Sequence, residues 1–134
     1  MTATGRDAVR ISRDDLGVTT ISIHRPDRMN ALDHPTVTAL TELITEHGTD
    51  PGTRVIVLSG EGGAFTTGAD LQAIKDAGAD APSPDATMAG AAALVRAVLT
   101  VPVPVIAAVT GPAAGVGVSL ALASDLVLMS EDAY

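Results

Sequence analysis

The spacing of hydrophobic and polar positions along this chain switches repeatedly between a period of two and a period near 3.6. Residues 18–23 (Val18, Thr19, Thr20, Ile21, Ser22, Ile23) are β-branched or small and mostly alternate, which predicts a strand. A shorter strand is expected at 9–11, with Asp14-Asp15-Leu16-Gly17 turning the chain between the two. Pro26 has no N–H to give to a ladder, so His24-Arg25-Pro26-Asp27 ends the second strand. Val37, Leu40, Leu43, Ile44 and His47 then recur at helical spacing. Asp33 suits the N-cap of that helix, Pro35 its first turn, and Gly48 is expected to stop it. Residues 55–58 form an apolar run of strand length, followed by a glycine-bearing loop at 60–63. A short helix is expected from Asp70 through Lys75, and a mobile, proline-bearing loop over 78–85. A helix over 86–99 would present Met88, Ala92, Val95 and Leu99 as its apolar face, closed off by Pro102 and Pro104. A buried strand at 105–109, a small-residue helix at 114–123 and a last strand at 126–129 complete the order β-β-α, β-α-α, β-α-β. Such alternation argues for an α/β fold.

Composition narrows the possible functions. With 134 residues the chain is long enough to bury a real core. One Phe, one Tyr and no Trp cannot build a stacking platform for bases, and a net charge of −8 disfavours nucleic acid and anionic lipid. The absence of cysteine excludes disulfides, thiolate metal sites and a cysteine nucleophile. The three histidines lack metal-ligand spacing, so no metal is expected. Residues 101–124 carry no charge, but Pro102, Pro104, Gly111, Pro112, Gly115 and Gly117 punctuate them. They read as strand, turn and buried helix rather than as a membrane span. No apolar leader is visible at the start, and a soluble cytoplasmic protein is the expectation.

Two segments carry candidate chemistry in their backbone. Gly63-Ala64-Phe65-Thr66-Thr67-Gly68-Ala69-Asp70-Leu71 and Gly111-Pro112-Ala113-Ala114-Gly115-Val116-Gly117 each follow a buried strand and open a helix. Glycines permit tight turns and close approach of a ligand, and a helix start leaves N–H groups unpaired. Two such turns facing one another would aim two N–H donors at one oxygen, which is an oxyanion hole.

Those turns, together with Arg25-Pro26, Asn30-Ala31-Leu32, the run from Pro104 to Gly117 and Asp125-Leu126, resemble the enoyl-CoA hydratase/isomerase (crotonase) family in order and spacing. The resemblance covers roughly residues 16–130. It implies a crotonase-like ββα spiral fold, here an N-terminal portion over residues 1–134 with the C-terminal part absent. It further implies an acyl-CoA thioester as ligand, with coenzyme A as part of the substrate and no separate cofactor, and assembly as trimers or hexamers. The oxyanion N–H groups would fall on Ala69 and Val116, where the family's usual glycine is replaced by valine. Asn30, Ala31, Leu32, Ala69, Asp70 and Leu71 would line the CoA cleft, largely through main-chain atoms. The family's hydratases place their first catalytic glutamate where this chain has Ser119, and serine is no carboxylate base. Asp125 matches a family aspartate near that position, although a cap at the start of a strand is the plainer reading. An isomerase-like member of fatty acid metabolism, with its base supplied from outside these residues, is therefore expected over a two-glutamate hydratase (a lyase). The second possibility is a non-catalytic acyl-CoA-binding or assembly subunit. Family members run to roughly 250 residues or more, so a fragment, or half of a split protein needing a second half, is expected. Gly117-Val118-Ser119-Leu120-Ala121 approaches a nucleophile elbow, but Ser119 falls inside the expected helix rather than at a strand-to-helix turn.

Overall fold

The computed structural model describes residues 5–134. Five strands, β1 (Val9–Arg13), β2 (Val18–Ile23), β3 (Val55–Gly60), β4 (Val105–Val109) and β5 (Leu126–Met129), form one sheet in the order β1-β2-β3-β4-β5. Only β1 and β2 are antiparallel, as the short Asp14–Gly17 turn requires; the other neighbours are parallel. Asp14 Oδ1 fixes that turn by accepting from the Leu16 and Val18 N–H groups, both at 2.9 Å. The register sets Ile21, Leu58, Ala107 and Val127 in one row across the sheet.

Four helices cross between the parallel strands: α1 (His34–Gly48), α2 (Leu71–Ala77), α3 (Pro84–Thr100) and α4 (Val116–Ala123). Strand order never reverses, so crossovers of the usual single hand place successive helices on the same face. Burial records this. Thr19, Ile21, Ile23, Ile56, Leu58, Val105, Ala107 and Val109 are buried, whereas their neighbours Thr20, Val57, Ile106 and Ala108 are only half-buried. Helix α1 packs on β2 and β3 and also against α3, which in turn packs against α4. Phe65, the chain's single phenylalanine, is 1% exposed within this core. Burying a side chain of that size contributes about 2 to 3 kcal/mol. Two hydroxyl pairs are satisfied inside: Thr19 with Thr53 at 2.9 Å and Ser22 with Ser59 at 2.7 Å.

The element order matches the expectation, and β4 and β5 have the expected bounds. Gly48 ends α1 as its last residue, and an added Cβ there would lie 2.6 Å from Val101 Cγ1. Two local readings change. The segment 78–85 is not a plain loop: Gly78–Asp80 forms a 3-10 turn, and Ser83 caps α3, which starts at Pro84. Of the stripe Met88, Ala92, Val95 and Leu99, only Val95 packs against the core. Leu94, Ala97 and Val98 are buried instead, while Met88 and Leu99 stand 69% and 63% exposed. Among the described residues no helix is long and apolar enough to cross a membrane.

Candidate active site

The two glycine-bearing turns lie against each other. Phe65 N–H donates to Pro112 O at 3.1 Å and Ala114 N–H to Thr66 O at 3.0 Å, giving a bridge between Thr66 and Ala113. A Cβ on Gly68 would sit 2.9 Å from Ala114 O, and one on Gly117 2.4 Å from Thr66 O. Gly68 also has φ +91, a conformation that side chains disfavour. Glycine is thus needed at the point of contact.

Among the described residues each turn leaves one N–H without a protein acceptor. Leu32 N–H donates to Gly68 O at 2.7 Å, and Asp70 N–H to Leu32 O at 2.9 Å. The Gly68–Ala69 peptide is trans, so a carbonyl drawn toward Leu32 points the Ala69 N–H in the opposite direction. In the second turn Gly115 O accepts from Val118 N–H at 3.1 Å, along α4. The same rule points the Val116 N–H out of the start of that helix, where the first amides have no partner within the helix. Among the described residues neither Ala69 N–H nor Val116 N–H has an acceptor.

Ala69, Gly115, Val116 and Ser119 line the wall of one cavity of about 1000 Å³, which opens between α1, α2, α3 and α4. Its wall is mainly apolar. Leu32 and Val37 come from the α1 side and Ala73 and Ile74 from α2. Met88, Ala92, Val95 and Leu99 of α3 complete it, which gives that apolar stripe a surface to line although Met88, Ala92 and Leu99 are exposed. Helix α3 is apolar on more than one face, so periodicity alone could not separate core from cavity. The ionisable groups on the wall are Asp33, His34, Asp80 and Arg96. Among the described residues no cluster of His, Asp and Glu could hold a metal.

The remaining sequence-picked residues fall in different places. Ser119 is exposed on the cavity side of α4. Asp125 lies off the cavity wall; its Oδ2 accepts from Val105 N–H at 2.8 Å and ties β4 to the start of β5. Leu32 and Ala69 reach the cavity, whereas Asn30, Ala31, Asp70 and Leu71 do not line it. Asn30 is fully buried with φ +57, and its amide is consumed by structure. Its Nδ2 donates to Glu61 O and Ala64 O, both at 2.8 Å, and its Oδ1 accepts from Arg25 N–H at 2.8 Å. Asp70 caps α2 by accepting from Ala73 N–H at 2.9 Å. Burial pushes its carboxyl up, but the Ala73 N–H, Arg25 and Arg28 outweigh burial and hold it below its ordinary value.

The sequence model of the enoyl-CoA hydratase/isomerase family matches residues 13–134. The chain belongs to that family. It is 42% identical to a "Probable enoyl-CoA hydratase" of Mycobacterium leprae over 121 residues, 88% of this chain and 46% of that one. It is 34% identical to the 1,2-epoxyphenylacetyl-CoA isomerase of Escherichia coli, over 92% of this chain and 48% of the relative. The crystal structure of an enoyl-CoA hydratase from Mycobacterium avium subsp. paratuberculosis superposes with a TM-score of 0.82 at 39% identity, covering 94% of this chain and 48% of that one. A monofunctional enoyl-CoA isomerase of M. smegmatis gives 0.76 at 30% identity, over 94% and 51%. This enoyl-CoA hydratase/isomerase family chain thus spans about half the length of the curated relatives it matches, and its sheet and helices form an incomplete crotonase fold.

Proposed function

We propose that this chain binds an acyl-CoA thioester and stabilises the enolate oxygen formed from it with the Ala69 and Val116 amides. The observation that carries the reading is the pair of N–H groups without acceptors, on two residues that line one cavity and belong to turns hydrogen-bonded to each other. Negative charge gathers on a thioester oxygen when a proton leaves the neighbouring carbon or a nucleophile adds to the conjugated double bond. Each preorganised N–H donor to such an oxygen is worth about 3 kcal/mol in the transition state. The mainly apolar wall suits the acyl chain. Ser119 sets no carboxylate on α4, which favours a single-base reaction such as double-bond isomerisation over hydration by two glutamates. The relatives' names, hydratase and isomerase alike, denote acyl groups carried on CoA.

Val116→Pro tests this. Val116 is the first residue of α4, where proline is tolerated, and its N–H has no protein partner. The substitution should leave stability within about 1 kcal/mol while deleting one oxyanion donor. Wild type should bind acetoacetyl-CoA, whose enolate carries the same charge, about tenfold more tightly than free CoA by calorimetry. Val116→Pro should lose most of that margin, and any turnover of crotonyl-CoA or a 3-enoyl-CoA should fall by about 10² to 10³. An unchanged margin, or no binding of any acyl-CoA by wild type, would refute the reading.

A further inference from the structure

Arg25 stands at the end of β2, next to the Pro26–Arg28 turn, with its side chain only 15% exposed. Its guanidinium meets Asp33 Oδ2 at 2.9 Å, Asp70 Oδ2 at 3.1 Å and the Ala31 carbonyl oxygen. The two carboxylates cap different helices: Asp33 accepts from Thr36 N–H at 2.9 Å to start α1, and Asp70 from Ala73 N–H to start α2. Arg25 therefore joins the starts of the two helices that flank the cavity mouth. A planar fork of donors can satisfy several acceptors at once in a way that a lysine ammonium cannot.

The contact with Ala31 O has a further consequence. Ala31 O and Leu32 N–H belong to one trans peptide, as do Gly68 O and Ala69 N–H. Leu32 N–H donates to Gly68 O at 2.7 Å. An unbroken line of hydrogen bonds thus runs from the guanidinium through two peptide units to the Ala69 N–H. A cation at the head of such a line polarises every member in the same sense, and at low exposure little of the effect is lost to water.

We infer that Arg25 is a positioning residue that aims and polarises the Ala69 N–H, so that one oxyanion donor is set by a side chain outside the cavity. Arg25 is absent from the cavity wall. The inference rests on the oxyanion reading above, and its test separates the two. The 134-residue wild type, Arg25→Lys and Arg25→Gln are compared by two measurements.

Hydrogen exchange without ligand reads the backbone line itself. The Leu32 amide should exchange about tenfold faster or more in Arg25→Gln than in wild type, while the amides of β3 stay unchanged. The absorption spectrum of bound sorboyl-CoA, a dienoyl thioester, reads carbonyl polarisation. At saturating protein the wild type should shift this absorption to the red, and both variants should lose half of that shift or more. A full shift in any folded Arg25 variant overturns the role of Arg25 and leaves the oxyanion reading standing, as does unchanged Leu32 exchange. If Arg25→Gln does not fold, Arg25→Lys decides both measurements, because it keeps the charge but not the fork. A wild type that gives no shift overturns the oxyanion reading, and the role of Arg25 falls with it.

Discussion

Replacing Gly68 with alanine attacks the contact between the two turns directly, and Gly63→Ala supplies its control. Both glycines have positive φ, +91 at Gly68 and +95 at Gly63, so each alanine pays a similar backbone strain of about 1 to 2 kcal/mol. They differ in what the new methyl group meets. At Gly63 there is nothing within 4 Å, whereas at Gly68 the Cβ would lie 2.9 Å from Ala114 O and 3.4 Å from Gly115 Cα. The oxygen belongs to the backbone, so relief requires the turns themselves to separate, adding about 1 to 3 kcal/mol. Gly68→Ala should therefore cost about 3 kcal/mol and Gly63→Ala about half of that. With a urea dependence of about 1.5 kcal/mol per molar, the midpoints fall by about 2 M and about 1 M. The chain has no tryptophan, so far-ultraviolet circular dichroism is the suitable signal. Separation of the turns should also move the Ala69 amide relative to that of Val116, so Gly68→Ala should lose the acetoacetyl-CoA margin while Gly63→Ala keeps it. Equal urea shifts in the two variants would show that the turns do not bear on each other as described.

Three further substitutions probe the supports of the site. Asn30→Asp keeps the shape but turns the Nδ2 donor to Glu61 O and Ala64 O into an acceptor, and should cost about 3 kcal/mol in urea unfolding. Asp70→Asn keeps a capping oxygen but loses the ion pair with Arg25. The folded-state pKa of Asp70 lies below its ordinary 3.8, so its charge stabilises the fold above that value and the benefit disappears as pH falls through the lowered value. Wild type should accordingly exceed Asp70→Asn in urea midpoint at neutral pH, and the gap should close as pH drops below 3.8. Gly48→Ala sets a methyl group 2.6 Å from Val101 Cγ1 and should cost about 2 kcal/mol; Val101→Ala in the same chain should recover part of that loss, whereas additive costs would contradict the close packing.

The sequence by itself determined the elements and the two turns. Alternation over 18–23, helical spacing behind Asp33 and the glycine and proline punctuation are local features, and local features dictate local backbone. The bounds of β4 and β5 were legible for that reason, as was Asp33 as the cap of α1. Tertiary structure alone decided which apolar stripe of α3 faces the core, because a helix apolar on several faces gives no preferred direction until its neighbours α1 and α4 are placed. It also decided that Asn30 spends its side chain on three backbone groups, and that Arg25 lies between Asp33 and Asp70. These partners come from separate crossovers of the sheet. They meet only because the strand order brings the ends of β2 and β3 and the starts of α1 and α2 to one edge of the cavity, which no periodicity along the chain encodes.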